Sequence, residues 1–255
     1  MKKNYRQQEF RYDVYYFTSG EMLATCFVGA FLIVFLAVLF YRSFIAIFFL
    51  SPLGVWVWRE TKRKKMKQRK RELGLQFKDC IQSVCTNLKA GYSVENAFKE
   101  SLTDIRLLYG NECYMAKELT CMIQGLANNI SMEDLLLSLG ERSGITDIRE
   151  FGNVFAIAKR NGGNMTDILM RTSTVIGKKM EIDREIQVLI SAKRMEQQIM
   201  NMVPFAIIVY ISFTSPGFFD VLYHNALGVG IMTVCLVVYF IAYHISSRII
   251  EISVD

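Results

Sequence analysis

The chain has 255 residues, with 30 Lys and Arg against 24 Asp and Glu, for a formal net charge of +6. Hydrophobic residues make up 52% of it and the mean hydropathy is +0.23, which is more apolar than an ordinary soluble domain. One large soluble domain is therefore disfavoured, and a smaller domain combined with membrane spans is expected.

Residues 1–20 read as an N-terminal cytosolic segment. A cleaved secretory signal is not expected, because the apolar run that follows is too long, starts late and lacks a small-residue cleavage site. Residues 21–58 read as a transmembrane hairpin. Met22 to Tyr41 holds twenty residues without a charge, and Phe44 to Trp58 forms a shorter second span. A bilayer core of about 30 Å needs roughly 20 apolar residues per helix, so a turn is expected near Tyr41, Arg42 and Ser43. Pro52 and Gly54 leave room for a kink in the second span.

A basic juxtamembrane strip follows at 59–72. Arg59 to Arg71 carries nine basic side chains, Arg59, Lys62, Arg63, Lys64, Lys65, Lys67, Arg69, Lys70 and Arg71, against one glutamate. Next to Trp56 and Trp58, which read as interfacial anchors, these residues are expected to contact anionic lipid head groups. Arg59, Lys62, Arg63, Lys64, Lys65 and Lys67 are the candidate membrane-surface contacts. No nucleic-acid partner is expected, since the strip has no aromatic residues on which bases could stack.

Residues 73–198 read as a cytosolic helical bundle. Leu73, Phe77, Cys80, Ile81, Val84, Cys85 and Leu88 recur at intervals of three and four, making an apolar stripe that ends at Gly91. Val94, Ala97, Phe98, Leu102, Ile105 and Leu108 repeat the pattern up to Gly110. Further helices are predicted over Glu112 to Leu126, Met132 to Leu139 and Ile148 to Arg160, with a long one from Met165 to about Gln198. That last helix keeps an apolar face through Met165, Ile168, Leu169, Val175, Ile176, Ile182, Ile186, Leu189 and Met195. It then meets no breaker until Pro204, so it is expected to couple the bundle to the third span.

Residues 199–245 read as a second transmembrane hairpin, Ile199 to Phe219 and Ala226 to Ile245, and 246–255 as a cytosolic tail. The break at Ser215, Pro216 and Gly217 and then Asp220 to Asn225 is a loop signal. With four spans, 29 of the 30 Lys and Arg share one side and only Arg42 lies opposite. The positive-inside bias assigns that side to the cytosol. The fold class expected is all-α: four transmembrane helices, two N-terminal and two C-terminal, around a cytosolic bundle.

Three turns share one form: Leu88-Lys-Ala-Gly91-Tyr-Ser93-Val-Glu-Asn-Ala97-Phe98, Ala127-Asn-Asn-Ile-Ser131-Met-Glu-Asp-Leu135-Leu136, and Lys159-Arg-Asn-Gly162-Gly163-Asn164-Met-Thr-Asp-Ile168-Leu169. Glycine or asparagine takes the left-handed conformation that ends one helix. Ser93, Ser131 or Asn164 is then expected to cap the next by accepting its orphan amide protons.

In order and spacing these turns resemble the type II secretion system F domain family. The resemblance covers about Leu73 to Pro204, with Gly91, Ser93, Gly162, Gly163 and Asn164 as its turn-motif residues. One copy of the domain between two membrane hairpins is similar to the platform proteins of tight-adherence (Tad) pili, whereas other members carry two copies. The resemblance implies a multi-pass scaffold of the bacterial plasma (inner) membrane, with its main domain and both termini cytosolic. Its implied partners are a cytosolic secretion ATPase, pilin subunits, and a related platform protein or a second copy of itself.

No enzyme activity and no cofactor or metal is expected. No G-x-x-x-x-G-K-[S/T] phosphate loop occurs: Gly177-Lys178-Lys179 has no hydroxyl after the lysine. The two histidines, His224 in the short outer loop and His244 at the end of the last span, are not expected to meet. Acidic residues such as Asp147, Glu150, Asp167 and Glu181 show no calcium-site spacing. The cysteines Cys80, Cys85, Cys113 and Cys121 lack zinc spacing and read as small buried hydrophobes, with Cys26 and Cys235 in the spans. The alternatives to a platform are a small membrane carrier, disfavoured by the lack of charge in the spans, and a membrane-anchored regulatory scaffold.

Overall fold

The computed structural model describes Tyr12 and residues 19–41, 45–160, 165–215, 217–218 and 226–252. The expected turn at Arg42 and Ser43, the Gly162-Gly163-Asn164 turn, the loop residues Asp220 to Asn225 with His224, and the basic residues Lys2, Lys3, Arg6 and Arg11 all lie outside the described residues. Among the described residues there are eight helices and no strand. These are α1 (Ser19–Tyr41), α2 (Ile45–Lys89), α3 (Val94–Tyr109), α4 (Tyr114–Ala127), α5 (Met132–Ser143), α6 (Thr146–Arg160), α7 (Met165–Thr214) and α8 (Ala226–Ile252).

The chain divides into two compact units. One comprises residues 1–16 and 62–181, the other 17–61 and 182–255. Both α2 and α7 are long because nothing in their sequences stops them. The basic strip and the stripe from Leu73 to Leu88 belong to one uninterrupted helix of 45 residues, which passes through Pro52, Gly54 and Gly74 without a break. In α7, of 50 residues, Pro204 sits inside the helix. Its ring removes one amide donor, a loss that apolar membrane helices accommodate through neighbouring groups.

The first unit is built from the second half of α2, α3 to α6 and the start of α7. The stripe on α2 is buried throughout: Leu73, Phe77, Cys80, Ile81 and Val84 are fully enclosed, with Cys85 and Leu88 nearly so. Ala97, Phe98 and Ile105 of α3, Leu119 of α4, Leu136 and Leu139 of α5, and Ile148, Phe151 and Phe155 of α6 complete one core. Aromatic rings run through it edge to face. Phe77 meets Phe151 at 5.6 Å between centroids, and Phe98 meets Phe155 at 6.3 Å, the arrangement that the ring quadrupole favours.

Two local features hold α5 and α6 close. Gly144 takes a left-handed conformation (φ 62°) and ends α5, allowing α6 to start at Thr146. Gly140 then faces the backbone of α6, and a Cβ there would come within 2.7 Å of Arg149 Cα. Only a glycine permits that approach.

The structure corrects three details of the sequence reading. Leu108 is 67% exposed and its neighbour Leu107 81%, because the last turn of α3 runs past the helices that cover Ala97 to Ile105. The apolar face of α7 is buried only at Leu169 and Ile176; Val175 (65%), Ile182 (56%), Leu189 (72%) and Met195 (64%) are uncovered in the single chain. The α4 helix starts at Tyr114, later than Glu112, and is capped by Cys113, whose Sγ accepts from the Ala116 amide at 3.4 Å.

The second unit contains α1, the first part of α2, the rest of α7, and α8. Among the described residues, three helices are long and apolar enough to cross a membrane: Gly20–Ala37 of α1, α7 in its apolar part, and Gly230–Ile249 of α8. The regular structure of the described residues is thus all helical, with three helices suited by length and composition to cross a membrane. The second expected span, Phe44 to Trp58, begins outside the described residues, and its remainder is the first part of α2. In this unit α7 and α8 run antiparallel. Gln197 Nε2 donates to Ser246 Oγ at 2.8 Å, Tyr239 Oη donates to the Asn201 carbonyl at 3.1 Å, and the Phe205 and Tyr239 rings lie 5.0 Å apart.

Candidate functional site

The sequence-predicted residues fall in two places on the first helices. Gly91 lies in the turn between α2 and α3 with φ 91°, exposed, which a side chain would strain. Ser93 occupies the N-cap position of α3 with extended backbone (φ −64°, ψ 154°), but its hydroxyl makes no cap hydrogen bond. The expected cap at Ser93 is therefore corrected. Its extended backbone provides the geometry, and the first turn of α3 is left exposed enough for water to serve its amides. Ser131 does cap α5, its hydroxyl accepting from the Asp134 amide at 3.2 Å and donating to Asp134 Oδ2 at 2.8 Å. The left-handed residue before it is Asn129 (φ 60°). Gly162, Gly163 and Asn164 lie outside the described residues, so the third turn is not placed.

The basic strip is helical from end to end. Arg59, Arg63, Lys64 and Lys67 are exposed, and Lys62 and Lys65 are half-buried. Consecutive cations on a helix spread around its circumference, so the strip surrounds α2 with positive charge. Arg69, also half-buried, turns inwards.

Arg69 leads to a buried polar cluster that periodicity alone did not indicate. Its guanidinium lies 4.8 Å from the ring centroid of Tyr12 and 5.1 Å from that of Tyr114, a cation held between two aromatic faces. The Tyr12 and Tyr114 rings meet edge to face at 6.2 Å. Tyr12 is 1% exposed, and its hydroxyl donates to Glu118 Oε1 at 2.9 Å across 106 residues of sequence. Arg142 of α5 grips the same carboxylate with both ends of its fork, Nη1 to Oε1 at 3.2 Å and Nη2 to Oε2 at 2.9 Å. Such a bidentate pair is what makes an enclosed carboxylate tolerable. Beside it, Gln76 Oε1 accepts from the Met115 amide at 2.9 Å and satisfies an orphan donor at the start of α4.

The environment sets the protonation of the phenols. Burial, reinforced by the Glu118 charge, pushes the Tyr12 hydroxyl far above its ordinary range, so it stays a donor. Tyr109, at the end of α3, donates to Asp79 of α2. Burial first and that hydrogen bond second push it up to about 12 from an ordinary 10.0. A phenol that holds its proton more tightly when folded contributes all of its stabilisation below the unfolded value and loses it as the pH rises through the folded one. Stability is therefore expected to fall as the pH climbs from about 10 to 12, and Tyr109→Phe to flatten that slope, as read by urea unfolding at a series of alkaline pH values.

Nothing in the described residues gathers for metal chemistry: no group of three or more His, Cys, Asp or Glu is placed to hold an ion. Asp147 is engaged by Lys179 at 2.6 Å, and Asp167 by Arg171 at 3.3 Å. Burial raises the thiols of Cys80, Cys85 and Cys121 above their ordinary range, which leaves them protonated and poorly nucleophilic. What the arrangement can do is hold segments together and present a charged helix. Comparisons with protein-family models, curated protein sequences and solved structures return no match to this chain.

Proposed function

We propose that this chain is a multi-pass platform protein of a bacterial inner-membrane machine that assembles a Tad-type, type IV-like pilus or drives type II secretion. In this reading it couples a cytosolic secretion ATPase to pilin subunits. The bundle faces the cytosol, four spans tie it to the bilayer, and the basic strip on α2 rests on anionic lipid.

The observation that carries the reading is a pair of returns. Tyr12 and Arg69 touch, yet the apolar helix α1 lies between them in sequence. A chain that crosses the bilayer in α1 must cross back before Arg69, which supports a second span in the first part of α2. On the other side, α7 leaves the bundle and continues into apolar sequence, and α8 comes back to place Ser246 beside Gln197. These contacts support an even number of crossings at each end of the bundle. The uncovered apolar residues Ile182, Leu189 and Met195 on α7 support a further helical partner, a related platform protein or a second copy. The pilus role itself rests on the resemblance of the turn sequences, including Lys89-Ala-Gly91-Tyr-Ser93.

The test is capture. The full chain, solubilised in mild detergent, is expected to retain a co-expressed secretion ATPase on affinity purification. A folded chain that retains none, and that instead supports solute uptake in liposomes, would point to the carrier class.

A further inference from the structure

Along α7, Ile168, Val175, Ile182 and Leu189 recur every seven residues, and all four are exposed. Ile186, also exposed, stands between the last two. Apolar side chains scattered singly on a surface need no cover. A row at this period is different: it forms a seam along one side of the helix, the form that a second helix covers by supercoiling around it. We propose that the seam is covered by α7 of a second copy of this chain, in a parallel, in-register pair. The pairing rests on the reading of α7 as a helix that enters the membrane, and it commits the open partner of the platform to a second copy.

Lipid is excluded as the cover. Asp183, Arg184, Glu185, Lys193, Arg194 and Glu196 stand on the same stretch of α7 and are all exposed. Charges spread around a helix in this way keep that stretch out of hydrocarbon. The chain itself covers the neighbouring row instead, burying Leu169 and Ile176.

The charges specify the occupant and its direction. Two copies inserted the same way in one bilayer hold their α7 helices parallel and at the same depth, so each residue meets its own counterpart. With Ile182 and Leu189 on the d row, Lys178 falls at g and Asp183 at the following e, the positions that face each other across a parallel seam. Both side chains are exposed, and among the described residues neither is engaged in an ion pair of its own chain. Two-fold symmetry makes the contact twice, Lys178 to Asp183 of the second copy and the reverse. The a row, Thr172, Lys179, Ile186 and Lys193, is largely polar, which makes the seam weak and its register dependent on charge. Its two lysines bring no uncompensated charge, since Asp147 holds Lys179 at 2.6 Å and Glu196 holds Lys193 at 2.9 Å within the chain.

The experiment keeps the full chain in the membranes of the cells that express it, as two differently tagged copies, at a level where pairing is incomplete. Photoreactive p-benzoylphenylalanine replaces Ile182, Leu189 or, on the opposite side of α7, Arg184. The pair predicts a covalent product carrying both tags from positions 182 and 189, and little from position 184. Lys178→Glu lowers that yield about threefold or more, through the loss of two exposed ion pairs, and adding Asp183→Lys restores it. A yield at 182 and 189 no greater than at 184 would overturn the pair, as would products that join one tag to a different protein. So would a yield that K178E leaves unchanged or that Asp183→Lys fails to restore. Retention of the secretion ATPase, read on the same cells, separates the two readings: pairing without retention keeps the seam and removes the platform role, and retention without pairing does the reverse.

Discussion

Arg142→Ala is expected to destabilise the first unit by about 3–5 kcal/mol. Glu118 is 1% exposed on its side chain and Arg142 16%, so the pair lies almost entirely out of water. Removing the arginine leaves a carboxylate with only the Tyr12 hydroxyl at 2.9 Å to stabilise it. Surface pairs differ in kind. Lys193 and Glu196, 74% and 60% exposed, should change stability little on truncation, because solvent screens the pair. The measurement is amide exchange of α4 in the full chain, where a loss of this size appears as about a hundredfold or greater rise in opening. Replacing both partners with apolar residues of similar volume, Glu118→Met with Arg142→Met, should recover most of the loss.

A comparable loss, about 3–5 kcal/mol, is expected for Phe151→Ala. Phe151 is fully buried. Its ring lies 5.6 Å from that of Phe77 on α2 and 6.4 Å from that of Phe155 on its own helix. The close approach at Gly140 limits how far α6 can shift to fill the space, so the cavity term is retained. Leu107→Ala serves as the control. At 81% exposure it should change stability by less than about 0.5 kcal/mol. Urea unfolding of the two variants, followed by pulse proteolysis, checks both values.

Much of this fold can be read in the sequence wherever periodicity is the cause. The stripe from Leu73 to Leu88 has one physical reason, a helix with one face in a core, and each of its residues is buried. The turns at Gly91 and at Asn129 and Ser131 are likewise local events written in local residue types. Periodicity fails at its ends, as Leu108 shows: it keeps the phase of α3, yet no neighbouring helix reaches it. Along α7, the face from Ile182 to Met195 carries the pattern of a buried stripe without a cover in the single chain, because pattern reports what a face is suited to bury and not what covers it.

The polar cluster was illegible for a different reason. Glu118 stands at a charged position on a helix whose other inward residues, Met115, Leu119 and Met122, follow the apolar rule. Its partners Tyr12 and Arg142 lie 106 and 24 residues away. No window-based pattern joins such groups. Nor does the local sequence single out Tyr12, since Tyr5, Phe10, Tyr15, Tyr16 and Phe17 stand in the same segment. The basic strip posed the reverse case. Its charge was obvious, but its continuity with the bundle helix followed only from the lack of a breaker between Arg59 and Lys89.

The account depends on a helical bundle tied at both ends to the cytosolic face of a membrane. The direct measurement is labelling of single-cysteine variants, in a background without the six native cysteines, with an impermeant maleimide on spheroplasts. Lys64→Cys and Lys178→Cys are predicted to react only after lysis, and Asn225→Cys to react from outside. Reaction of position 64 or 178 in intact spheroplasts would contradict the account.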